Sequence, residues 1–74
     1  MQHHANLVGR KIARLRYQKG WTQDTLVAKL QGLQCNITRD ILANIELRRS
    51  VATDKHCCFI ALALSVTIDE LFRP

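Results

Sequence analysis

Leu7, Val8, Ile12 and Leu15 recur at spacings of mostly three to four residues, with Arg10, Lys11, Arg14 and Lys19 falling largely outside the stripe they form. That period belongs to an amphipathic helix. Asn6 is suited to cap its start and Gly20 to end it in a left-handed conformation, so the first helix is expected over residues 6–19. Leu26, Val27 and Leu30 make a second stripe behind Trp21-Thr22-Gln23-Asp24. There Thr22 can cap exposed amides and Asp24 suits the positive end of a helix over residues 22–31. Residues 32–37 have no stripe and open on Gly32, which is free to take positive φ, so they read as a turn.

Thr38 is placed to cap a third helix from Arg39 to about Leu47, with Leu42 and Ile45 inward and Ile37 and Leu42 available for a hydrophobic staple. A basic connection over residues 47–52 leads to Thr53, which caps a fourth helix whose dipole Asp54 complements. Cys57, Ile60, Ala61 and Leu64 form its inward set, and Thr67-Ile68-Asp69-Glu70-Leu71-Phe72 reads as a capped final turn. The expectation is therefore an all-α, compact five-helix bundle forming one domain over residues 1–74. Its second and third helices, joined by a glycine-containing turn longer than usual, make a helix-turn-helix.

Composition narrows the class more than it changes the fold. Lys and Arg outnumber Asp and Glu by 11 to 6, a formal charge of +5 on 74 residues, the balance of a small domain that meets phosphates. The opening Met1-Gln2-His3-His4 lacks the apolar core of a secretory signal, and no run approaches the roughly 18 apolar residues of a membrane span. An intracellular protein, cytoplasmic and associated with the nucleoid, is expected. Cys35, Cys57 and Cys58 are an odd set, which argues against a disulfide framework, and with His56 they lack the paired spacing of a zinc site. Free thiols acting as small hydrophobes are the better reading, with no metal or cofactor. No nucleophile, base and orienting group can be brought together, so an enzyme is not expected.

Four segments in order carry a resemblance: Val8-Gly9-Arg10-Lys11-Ile12 with Leu15-Arg16; Gly20-Trp21-Thr22-Gln23 with Leu26; Ile45-Glu46; and Ala63-Leu64-Ser65-Val66-Thr67-Ile68-Asp69-Glu70-Leu71. Over residues 8–72 the chain resembles the Xre, or Cro and phage-repressor, helix-turn-helix family. The resemblance implies a five-helix DNA-binding domain of bacteria, phages or mobile elements, with the third helix in the major groove and the second across the backbone. It implies a transcriptional regulator, expected to repress, that binds double-stranded DNA as a homodimer and needs no small-molecule ligand. It also implies a buried ion pair between Arg16 and Glu46. Val27 stands where the family usually has alanine, and Arg48 where a glycine often follows the glutamate.

Turning the third helix so that Leu42 and Ile45 face the core leaves Arg39, Asp40, Ala43 and Asn44 on or near the exposed surface, matching the family's base-reading positions. Arg39 could grip guanine bidentately and Asn44 adenine, and both are equally solvated polar residues in the plainer reading. Asp40 reads chiefly as a stabiliser of the helix start, while Ile41 meets a thymine methyl or supports the turn. Backbone contacts are expected from Gln23 and Thr22 at the start of the second helix, from Thr38, from Arg48 and Arg49 with nearby Ser50, and from Arg10 on the first helix. For Thr22 and Thr38, capping is the stronger half of the reading.

Residues 57–64 are an unbroken apolar run, and a helix apolar all round is normally buried all round. Phe59 and Leu62 are therefore expected to form a symmetric dimer face, or to be covered by residues 1–7. The alternative function is a protein-interaction module of the same fold, an antitoxin or anti-repressor subunit using this face. RNA binding is the weaker option, since the aromatic stacking platforms usual for single strands are absent from this reading.

Overall fold

A computed structural model describes residues 4–47 and 52–73 of the chain. Five helices are present among them, α1 (His4–Gln18), α2 (Gln23–Gly32), α3 (Arg39–Glu46), α4 (Asp54–Leu64) and α5 (Ile68–Phe72), and no strand. None of these helices is long and apolar enough to cross a membrane.

Four of the five helices start by one device. Thr22, Thr38, Thr53 and Thr67 hold extended backbone, and each Oγ accepts from the backbone N–H three residues on, at Thr25, Ile41, His56 and Glu70. Each cap satisfies an amide with no partner inside the helix, at about 1 kcal/mol apiece. Asp24, Asp40, Asp54 and Asp69 then place negative charge in the first turns, where the dipole favours it. α1 is the exception, for it begins at His4 and leaves Asn6 inside the helix, not at its cap.

Three helices end by another shared device. After α1, the amides of Gly20 and Trp21 turn back to the carbonyls of Tyr17 and Arg16, with Gly20 left-handed at φ +71°. After α2, Gln34 and Cys35 do the same to Gln31 and Leu30, and after α4, Ser65 and Val66 to Leu62 and Ala61. This double bond pattern requires a left-handed residue at its centre. Glycine fills that place once, but Gln34 (φ 63°) and Ser65 (φ 59°) fill the others. The expectation that Gly32 supplies the positive φ is thus corrected: α2 runs one residue further than its stripe suggests, Gly32 is its last helical residue, and the left-handed turn falls on Gln34.

Val8 and Ile12 from α1, Leu26 and Leu30 from α2, Leu42 and Ile45 from α3, Ile60 and Leu64 from α4 and Leu71 from α5 meet in one core. Ile37 and Cys35 reach into it from the turn, so the long connection is pinned by its own apolar residues and not loosely draped. α1 packs on α3 and α5, and α2 lies against α3 and α4. The crossing of α1 and α3 is backbone to backbone at Gly9: a Cβ there would fall on the Ile45 carbonyl, 3.1 Å from its carbon and 3.3 Å from Cα of Glu46. Lys11, expected on the exposed basic strip, is instead half-buried and pairs with Glu70 at 3.6 Å, tying α1 to α5. Burial draws in its stem, and a carboxylate at the tip keeps its charge satisfied.

Candidate nucleic-acid interface

The recognition candidate α3 is held from its far end. Glu46, in its last turn, is buried with Arg16 of α1, and the two meet as a fork: Arg16 Nε donates to Oε2 and Nη2 to Oε1, both at 2.9 Å. Arg16 Nη1 donates to the Trp21 carbonyl at 2.8 Å, fixing the turn between α1 and α2. Gln23 Nε2 donates to Glu46 Oε1 at 3.1 Å. One carboxylate thus locks the end of α1, the start of α2 and the end of α3 together, with its oxygens satisfied on three sides. The Glu46 hydrogen bonds raise the Arg16 pKa against the opposing desolvation, so the guanidinium keeps its charge although buried.

Around this anchor the expected site residues fall into distinct settings. Arg39 and Asp40 are exposed at the start of α3. Arg39 Nε lies 3.7 Å from Asp24 Oδ1 across the gap to α2, an exposed pair. Ala43 and Asn44, expected on or near the exposed surface, are half-buried, because the arc between Leu42 and Ile45 on one side and the neighbouring helices on the other is narrow. Leu47, at the end of α3, is 62% exposed and falls by the helical step inside the same arc as Arg39, Ala43, Asp40 and Asn44, an arc of about 140°. Ile41 stands off that arc and is 39% exposed.

The backbone-contact candidates are similarly sorted. Thr22 Oγ and Thr38 Oγ are engaged as caps, and Thr22 Oγ also meets Thr25 Oγ at 2.9 Å. Gln23 is half-buried with one N–H of its amide given to Glu46, which leaves the second N–H to donate and the oxygen to accept. Arg10 is exposed on α1. Arg48 and Arg49, with Ser50, lie outside the described residues. Thr22, Gln23, Asp24 and Arg39 wall a single groove with Arg16, Tyr17 and Trp21, at the adjoining starts of α2 and α3.

Periodicity alone missed the aromatic part of this surface. Tyr17 carries the Arg16 guanidinium 4.6 Å from its ring centre, and Trp21 is flanked by Lys19 at 5.3 Å and Lys29 at 4.7 Å. Lys19 and Lys29 lie two residues before Trp21 and eight after it, and only the α1–α2 corner brings both to its ring.

On α4 the apolar run divides. Cys57, Ile60, Ala61 and Leu64 are buried and Phe59 packs half-buried against the core, while Cys58 and Leu62, one turn apart, are exposed, Leu62 by 65%. Within one chain, then, this strip is left uncovered. Cys35 and Cys57 are core residues whose thiol pKa values are pushed up by desolvation first. No family model, curated protein or solved structure matches the chain.

Proposed function

We propose that the chain is a sequence-specific double-stranded DNA-binding domain of the helix-turn-helix, phage-repressor type, and that it works as a transcriptional regulator. The observation that carries this reading is the groove where α2 and α3 both begin, walled by Gln23 and Arg39, with α3 anchored at its opposite end by Glu46. Two helix starts at one groove direct unpaired amides and partial positive charge toward an anion. An α3 fixed at one end and exposed at Arg39 and Asp40 is a helix that can enter a major groove. In this reading Arg39 takes guanine, Asn44 and Ala43 border the bases, and Asp40 steadies the helix start. Thr22, Gln23, Thr38, Arg10, Arg48 and Arg49 follow the backbone.

The exposed strip of Cys58 and Leu62 favours a second reading, in which the same fold is a protein-interaction module and α4 its contact. The same strip, with Phe59 beside it, is the proposed face of a homodimer, and sedimentation showing only monomer at tens of micromolar would count against that. The two functions separate on selection from a random-sequence duplex pool. A near-palindromic motif, with Arg39→Ala relaxing one base position by about 1–3 kcal/mol and Arg49→Ala weakening all sequences alike, supports the regulator. No duplex binding at low salt transfers the function to the interaction module.

A further inference from the structure

Arg10 and Arg14 stand one turn apart on α1, both exposed, and neither pairs with a carboxylate among the described residues. Like charges at that spacing repel, so the helix gains nothing locally from the arrangement. Three residues on from Arg14, Tyr17 is 72% exposed. Its ring lies against the Arg16 guanidinium, which Glu46 holds in place, so Tyr17 is steadied from below while most of the residue stays in solvent.

These residues wall a shallow groove between α1 and the end of α3, closed on the α3 side by Glu46, whose charge Arg16 already neutralises. Tyr17 also walls the groove at the starts of α2 and α3. The two grooves therefore share Tyr17 as a wall, with Arg10 lining one and Gln23 and Arg39 the other.

We infer that the α1 groove is a second phosphate-backbone track for double-stranded DNA, in which Arg10 and Arg14 each neutralise a phosphate and the Tyr17 hydroxyl donates to a phosphate oxygen at the wall the two grooves share. The inference rests on the DNA reading above and extends it to Arg14 and Tyr17. Four residues at about 1.5 Å each separate the arginines by about 6 Å along α1, so their long side chains can reach neighbouring phosphates of one strand, which advance by about 3.4 Å per step along the duplex axis. A strand offers each arginine a phosphate of its own.

The test is fluorescence anisotropy of a labelled random-sequence duplex over a salt series, with wild type, Arg10→Ala/Arg14→Ala, Tyr17→Phe and Arg39→Ala. All four side chains are exposed, and Tyr17→Phe keeps the ring on Arg16, so the fold is retained; circular dichroism checks it. The double arginine variant should lose about two from the slope of log affinity against log salt, at roughly 0.9 per phosphate. Tyr17→Phe should weaken binding several-fold with the slope unchanged. An unchanged slope and affinity in the double variant, with the wild type binding the duplex at low salt, overturns the α1 track and leaves the DNA reading standing. No duplex binding by wild type at low salt overturns both. Preference for the single strand over its duplex also overturns the track, making Tyr17 a stacking platform instead.

Discussion

Replacing Gly9 by alanine tests the most demanding contact in the fold. In the middle of α1, alanine in place of glycine should stabilise the helix by about 1 kcal/mol. Here the added methyl falls on the Ile45 carbonyl, with Glu46 Cα beside it, and all of these are backbone atoms that no rotamer can clear. Relief requires α1 and α3 to part by roughly an ångström, and a gap of that size forfeits a quarter to a half of each dispersion contact it opens. The contacts at stake are those of Val8 and Ile12 with Leu42 and Ile45, and the Arg16–Glu46 fork just beyond. Overpacking of this kind costs about 1–3 kcal/mol, and the strained ion pair pushes the cost to the upper end. The net expectation is a loss of about 2 kcal/mol, read as a fall in Tm of roughly 10 °C. Urea unfolding followed by circular dichroism measures it, with Gly32→Ala as control. Gly32 has open space around it and ordinary φ, so alanine there should be neutral or stabilising by up to about 1 kcal/mol. If Gly9→Ala matches or exceeds wild type as the control does, α1 and α3 do not cross backbone to backbone.

Gln34→Gly and Ser65→Gly should each stabilise the protein by about 0.5–1 kcal/mol, since both positions hold left-handed backbone that costs a side chain about that much; unfolding midpoints that fall would contradict the caps described. Arg16→Met should destabilise by about 3–5 kcal/mol by stranding a buried Glu46, and Arg16→Met/Glu46→Leu should recover much of the loss; equal losses in both would show that the anion is not buried. Burial raises the Cys35 and Cys57 thiols above their ordinary 9.0, so both states keep the protons below 9.0 and only the unfolded chain releases them just above it. Stability should therefore fall as pH rises from 9.0 through the folded values, and the wild type should lose more over that range than Cys35→Ala/Cys57→Ala; parallel profiles would contradict this.

What the sequence yielded and what it did not divide along a physical line. Helix starts were legible because Thr22, Thr38, Thr53 and Thr67 act through hydrogen bonds to amides three residues away, a purely local signal. The end of α2 was misread because composition marks Gly32, whereas the left-handed residue is set by how Cys35 and Ile37 must enter the core. The exposure of Leu62 and the half-burial of Asn44 depend on which neighbours cover a face, and no period in one helix carries that. Likewise Lys11 reads as part of a solvated basic strip until α5 brings Glu70 to it. For the candidate site, Arg39 and Asp40 followed from the inward set alone, but the Asp24 partner of Arg39 and the Glu46 partner of Gln23 lie 15 and 23 residues away.

That Asp24 partner changes how the proposed interface would choose among sequences. Arg39, Asp40 and Asp24 sum to a charge of −1 in a chain of +5, so the cationic surplus sits elsewhere, on Arg10 and Arg14 among others. General attraction to a duplex and choice of base would then rest on different residues. An exposed pair such as Arg39–Asp24 is worth about 0–1 kcal/mol, less than the 1–3 kcal/mol of a bidentate guanine contact but comparable with a solvated phosphate contact. Arg39 would leave Asp24 for guanine readily and for a phosphate hardly at all, so Asp24 holds the reader back from unproductive contacts. Asp24→Asn should therefore tighten binding to every duplex at low salt while narrowing the ratio between the best and the average sequence, as read by anisotropy against a selected and a random duplex. Tightening confined to the selected duplex would mean that Asp24 does not compete for Arg39, and that the 3.7 Å pair has no part in recognition.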